Sequence, residues 1–254
     1  MVVLEGVASA AGSTGRMEID MKVDIVERHD TGCSSHLNDH LLVREITHRI
    51  NNEFASIIGR ASMIAARSTS EEVKKALAAV TRILHDCADV HRSLEMPTLS
   101  TMVDASDYVR ALCQSIKRAK LDGRGIELVL VEHPLQMRSE RCWMLGMIVS
   151  ELITNSARHA FGDRGGQIQI KLSGAGPYAQ CSVTDNGSSR DPGTPGQGLK
   201  IIEALVKELD GKIVHRFGTD GAVTMLMFPI NGMEHGSWIK DEERTGRRFA
   251  AYPS

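Results

Sequence analysis

Aromatic residues make up only 4% of this 254-residue chain. Surfaces that stack nucleic-acid bases need such rings, so the composition argues against that class of binder. Charge of one sign is missing as well. Thirty Lys and Arg stand against 32 Asp and Glu, a net charge of −2, which removes any bulk electrostatic case for a nucleic-acid partner. Long apolar runs are absent. Stretches such as IELVLV at 126–131 fall far short of the roughly 20 residues that cross a bilayer. The first twenty residues hold no basic segment followed by an apolar one, so no signal peptide and a soluble, cytoplasmic protein are expected. The five cysteines, Cys33, Cys87, Cys113, Cys142 and Cys181, are odd in number and contain no C-x-x-C pair. Reduced thiols are expected, not a disulfide or zinc framework. His36 and His40 lie four apart but have no third metal ligand nearby.

What is present is an ordinary globular mixture, 42% apolar and 24% charged, long enough for two modest domains. Residues 1–36 lack sustained periodicity and are expected to form an arm with one short strand at most. From Leu37 to Arg67, Leu42, Ile46, Ile50, Ile57, Ala61 and Ile64 make one helical apolar stripe. Ser68 with Glu71 fits the S-x-x-E start signal of a second helix. That helix carries Val73, Leu77, Val80, Leu84, Cys87, Val90 and Leu94 at steps of three and four, and Pro97 closes it. Residues 37–96 therefore predict a helical hairpin, able to pair into a four-helix bundle. Beyond it, helices are predicted at 104–119, 139–161 and 198–209. Strands are predicted at 126–131, 167–172, 179–185, 211–217 and 222–229. Mixed rather than alternating order predicts an α+β sandwich over 97–230, with helices on one face of a mixed sheet. Residues 231–254 are expected to be a polar tail.

Three places could carry chemistry. His48 lies two residues from both Ile46 and Ile50, about 200° around the helix, so it points away from the stripe into solvent. An exposed imidazole suits a phosphoacceptor, which needs a free ring nitrogen reachable by other domains. Glu45 and Asn52 share its face. Glu45 could take the ring proton and Asn52 could orient a water. In ELITNSARHAF, residues 151–161, Leu145, Ile148, Leu152, Ile153 and Ala160 make a buried side, while Glu151, Asn155, Arg158 and His159 form a polar stripe. A carboxylate, a carboxamide and cations together can hold Mg²⁺ and polyphosphate. Then VTDNG (183–187) puts Asp185 at a strand end before a glycine turn, and PGQGLKII (195–202) opens a helix on Gly-x-Gly, where backbone N–H groups can approach phosphate.

The order REITHRINNEF, ELITNSARHAF, DNG, GQGL resembles the H box, N box and glycine boxes of histidine kinases of the HisKA_2/HWE-related type. RILHDCADVHRSL resembles that family's second hairpin helix, with His91 at its usual histidine. The resemblance covers about residues 37–230. It implies a Bergerat-type ATP-binding domain behind a dimerising histidine-phosphotransfer hairpin. His48 would take the γ-phosphate and Asn155 would ligate Mg²⁺ beside Glu151. Arg158 and His159 would neighbour the phosphates, Asp185 would accept the adenine amino group, and Gly187 would make room for the base. Gly196 and Gly198 would line the phosphate end. ATP and Mg²⁺ are the implied cofactors, and a response-regulator receiver domain and a second copy of the chain the implied partners. Ser189 stands where the family has a further glycine, and the short stretch 188–195 predicts a small lid. The competing expectation is a non-catalytic phosphotransfer module with a degenerate ATP site. No sensor domain is expected ahead of the hairpin.

Overall fold

The computed structural model describes residues 35–97, 100–162, 164–188 and 196–231, with side chains from 45 onward. Residues 1–34 of the expected arm, 189–195 of the small lid, and nearly all of the polar tail lie outside the described residues; residues 35 and 36 already belong to the first helix.

Helices α1 (Ser35–Arg67) and α2 (Glu71–Ser93) form the hairpin. The start signal of α2 differs from expectation. Ser70, not Ser68, is the N-cap, and its side chain accepts from the Val73 amide. Ser68 instead braces the turn by accepting from the Ser70 amide. With Val73 at the third helical position there is no reciprocal capping box. Glu71 and Glu72 supply the favourable charge of the first turn. The apolar stripes are only partly covered within one hairpin. Ala61 and Val90 are buried, whereas Ile46, Ile57, Ile64, Val73, Val80 and Ile83 remain exposed.

The far end of α2 is capped by the next domain. Leu94 N–H donates to Val90 and His91 carbonyls, and Glu95 N–H to Arg92. The Ser93 carbonyl accepts from Tyr108 Oη at 2.9 Å, and the Leu94 carbonyl from Trp143 Nε1 at 2.9 Å. Each terminal carbonyl thus finds a donor. The helix stops at Ser93, four residues before Pro97.

A two-stranded antiparallel ribbon, β1 (Met102–Asp104) with β3 (Gln136–Arg138), was not anticipated. It leads directly into α3 (Ala105–Ile116) and α4 (Ser139–His159) and so sets their starts side by side. Past Ile116 the predicted helix continues not as α-helix but as a π-helical turn, Lys117–Leu121, and a 3₁₀ turn, Asp122–Arg124. The main sheet contains β2 (Ile126–Glu132), β4 (Gly166–Ala175), β5 (Tyr178–Asp185), β6 (Lys212–Gly218) and β7 (Gly221–Pro229) in the order β2-β4-β5-β7-β6. Only β2 and β4 are parallel.

Alternation places Ile168, Ile170, Leu172, Ala179, Cys181, Val183, Leu226 and Phe228 on one buried sheet face. Against it pack Leu112 and Ile116 of α3, Leu145, Ile148 and Ile153 of α4, and Ile202 and Val206 of α5 (Gln197–Glu208). Each fully buried Leu or Ile stabilises by about 1.5–3 kcal/mol. The α+β sandwich with helices on one sheet face is therefore as expected. Arg141 fastens the base of α4. Its guanidinium, buried over the Phe228 ring, donates to the Leu209 and Pro229 carbonyls at 2.6 and 2.8 Å. The four described cysteines are free thiols, and burial pushes Cys113, Cys142 and Cys181 up to about 12, where they stay protonated and inert.

Candidate functional site

The site is built on the last three turns of α4. Leu152, Ile153 and Ala157 are buried in the core, which leaves Glu151 and Asn155 half-buried and Arg158 and His159 exposed. The first turn of α5 closes on this stripe. A side chain at Gly198 would meet the Glu151 carboxylate at 2.9 Å and the Asn155 carboxamide at 3.8 Å. The absence of one lets the helix N-terminus, the positive end of its dipole, sit over a carboxylate and a carboxamide. Gly196 is the N-cap and faces open space, so its role carries no steric demand.

Asp185 is buried at the end of β5. Its Oδ2 accepts from Ser156 Oγ at 2.8 Å, and its Oδ1 accepts from the amides of Gly187 and Ala222, each at 3.2 Å. Three segments therefore converge on one carboxylate: α4, the turn after β5, and the start of β7. Gly187 lies against the end of α4, where a Cβ would stand 2.3 Å from the Ala160 carbonyl oxygen. The space gained there is occupied by Ala160, not left open. Gly221 is tighter still. Its φ is +126°, and a Cβ would be 1.8 Å from the Asp185 carbonyl oxygen.

On the hairpin, His48 is exposed, as its offset from the apolar stripe required. Asn52 is exposed too. The Glu45 carboxylate is not on the imidazole: it pairs with Arg49 Nε at 2.9 Å. Across the hairpin, Phe54 meets the His91 ring at a centroid distance of 5.4 Å. Burial, with Lys120 adding to it, holds the His91 pKa below the usual histidine value. The structure thus gathers Glu151, Asn155, Gly198 and, through Ser156, Asp185. It leaves His48, Glu45 and Asn52 on the separate surface of α1.

Ser156, Gly221 and the Ala222 amide are contacts of Asp185 that the sequence reading missed. Ser156 reads as filler between Asn155 and Ala157. Gly221 reads as a hairpin turn, and its contact with Asp185 exists only because β7 pairs with β5.

The architecture is a helical hairpin followed by a mixed sheet with three helices on one face, and a polar helix stripe under a glycine-opened helix. The profile described as histidine kinase matches residues 45–120, and that of the histidine kinase-like ATPase domain matches residues 103–227. The chain belongs to the histidine kinase family. It is 26% identical over 234 residues to the sensor histidine kinase PdtaS of Mycolicibacterium smegmatis, covering 89% of this chain and 46% of that one. It is 24% identical over 240 residues to blue-light-activated histidine kinase 2 of Erythrobacter litoralis, covering 89% and 67%. The chain thus spans about half the length of PdtaS. Two solved structures share the fold. One is the histidine kinase domain of the Erythrobacter litoralis EL346 blue-light-activated kinase, with TM-score 0.50 and 17% identity over 69% of this chain and 96% of that one. The other is a bacterial phosphotransferase, with TM-score 0.52 and 13% identity over 78% and 98%. Among the described residues no helix is long and apolar enough to cross a membrane.

Proposed function

We propose that this chain is an ATP-dependent histidine autokinase of a two-component system, which phosphorylates His48 and passes the phosphoryl group to an aspartate of a response-regulator receiver domain. The observation that carries the reading is the close approach of the α5 N-terminus at Gly198 to Glu151 and Asn155, with Asp185 pinned to the same helix by Ser156. Asp185 accepts the adenine amino group. Arg158, His159 and the backbone beside Gly196 and Gly198 bind the phosphates, and Gly187 lets the turn after Asp185 pack against the end of α4. Asn155, with Glu151 beside it, would hold a divalent cation, which when bound neutralises phosphate oxygens. The donor set of carboxamide and carboxylate fits that ion.

In the transfer, an imidazole nitrogen of His48 attacks the γ-phosphorus. The bond from that phosphorus to the bridging oxygen breaks, ADP leaves with the electron pair, and a P–N bond forms. Glu45 takes the displaced ring proton after exchanging its partner Arg49, and Asn52 orients water at the same face. The binding energy is spent on alignment, because the imidazole is already a competent nucleophile when neutral. Pairing of two hairpins covers the apolar residues left exposed on a single one, so the acting species is a homodimer. The alternative, a phosphotransfer module with a dead nucleotide site, gains no support from Asp185, whose supporting contacts are complete.

Incubation with γ-labelled ATP tests the proposal. Wild type should acquire Mg²⁺-dependent label that is acid-labile and base-stable, and His48→Ala should acquire none. Equal labelling of the two proteins would remove His48 as acceptor.

A further inference from the structure

The π-helical turn Lys117–Leu121 interrupts the chain between α3 and β2. Such i→i+5 turns re-aim side chains and occur often at functional sites. Here the turn points two cations in different directions. Arg118 faces the hairpin, 3.6 Å from Asp86 and 3.8 Å from Asp89 of α2. Lys120 faces α4, where its ammonium donates to Thr154 Oγ1 at 3.0 Å. Thr154 precedes Asn155 and lies one turn from both Glu151 and Arg158, so Lys120 stands at the edge of the polar stripe.

We propose that Lys120, fixed by the π-helical turn and by Thr154 at the hairpin side of the stripe, contacts the terminal phosphate of the bound nucleoside triphosphate. This rests on the nucleotide reading above and adds a residue to it. Thr154 and Ser156 are two residues apart, about 200° around α4. Ser156 holds Asp185, so a nucleotide that starts at Asp185 and crosses Asn155 runs toward Lys120. Its far end then lies on the hairpin side, the side an acceptor on the hairpin can reach. Among the described residues no salt bridge includes Lys120, and its direct polar contact is the Thr154 hydroxyl. Burial lowers its pKa first, Glu151 and Cys87 oppose that, and Arg158 adds to it. An exposed ammonium held only by a neutral hydroxyl gains from an anionic partner at the same edge.

The test compares ATP and ADP binding by calorimetry, alongside autophosphorylation, in wild type, Lys120→Gln and Lys120→Arg. Loss of one charge-assisted contact predicts about tenfold weaker ATP binding in Lys120→Gln, ADP binding within twofold of wild type, and recovery in Lys120→Arg. Unchanged ADP binding also shows that the variant is folded. Equal weakening of ATP and ADP, or no change in either, overturns the contact. If wild type binds neither nucleotide, the underlying nucleotide reading fails along with it; if wild type binds both and Lys120→Gln matches it, only this inference fails.

Discussion

Replacing Asp185 by asparagine exchanges one carboxylate oxygen for an amide nitrogen and keeps the size of the side chain. The structure says how the fold responds. Oδ1 continues to accept from the Gly187 and Ala222 amides, and the new Nδ2 meets Ser156 Oγ, which turns its hydroxyl to accept instead of donate. Stability should change little. The adenine amino group, by contrast, now faces a donor instead of a charged acceptor. Loss of a hydrogen bond to a charged group costs about 1.5–3 kcal/mol, so ATP affinity should fall roughly 10- to 100-fold or more. A guanine carbonyl accepts where adenine donates, so the ratio of ATP to GTP affinity should fall by a larger factor than ATP affinity alone. Alanine behaves differently. It strands three donors in a buried site, at about 1 kcal/mol or more each, and should lower Tm by roughly 6–12 °C. Calorimetric titration with both nucleotides and a melting curve separate the two variants. Wild-type ATP affinity in a folded Asp185→Asn protein would refute the assignment of Asp185 to the base.

Two further outcomes follow from the packing. Ile83 is 57% exposed on a lone hairpin, so Ile83→Glu should abolish self-association in sedimentation experiments while nucleotide affinity stays as in wild type; an unchanged dimer would move the seam off this face of α2. Arg141→Met should cost about 2–4 kcal/mol in denaturant unfolding, because the Leu209 and Pro229 carbonyls lose a charged donor inside the protein, and a loss under 1 kcal/mol would show that water replaces it.

The hairpin, the five long strands and the helices that cover them were legible because each has a period the core enforces. The placement of His48 and of Glu151 and Asn155 off the buried face was legible for the converse reason, as polar residues out of phase with that period. The ribbon of β1 and β3 was not, since three residues are too few to show alternation. The π-helical turn was not either, because KRAKL reads as a continuation of α3. Ser70 displaced Ser68 as the cap because the turn needed Ser68 for its own backbone. Ser156 and Gly221 were hidden for a deeper reason. They act on Asp185 from 29 and 36 positions away in the chain, and only the β5–β7 register and the seat of α4 bring them there. Glu45 shows the opposite limit. Helical spacing put it near His48, but the same spacing put Arg49 equally near, and the cation holds it.

The hydrogen bonds from Tyr108 and Trp143 to the last carbonyls of α2 make two apparently separate equilibria into one. A helix whose final acceptors are satisfied by a neighbouring domain frays when that domain leaves, and the domain loses its seat when the helix frays. Linkage requires the coupling to be equal in both directions. The free energy by which a wound last turn of α2 favours docking is therefore the free energy by which docking favours the wound turn. The junction after Ser93 is thus a hydrogen-bonded joint and not a bare tether.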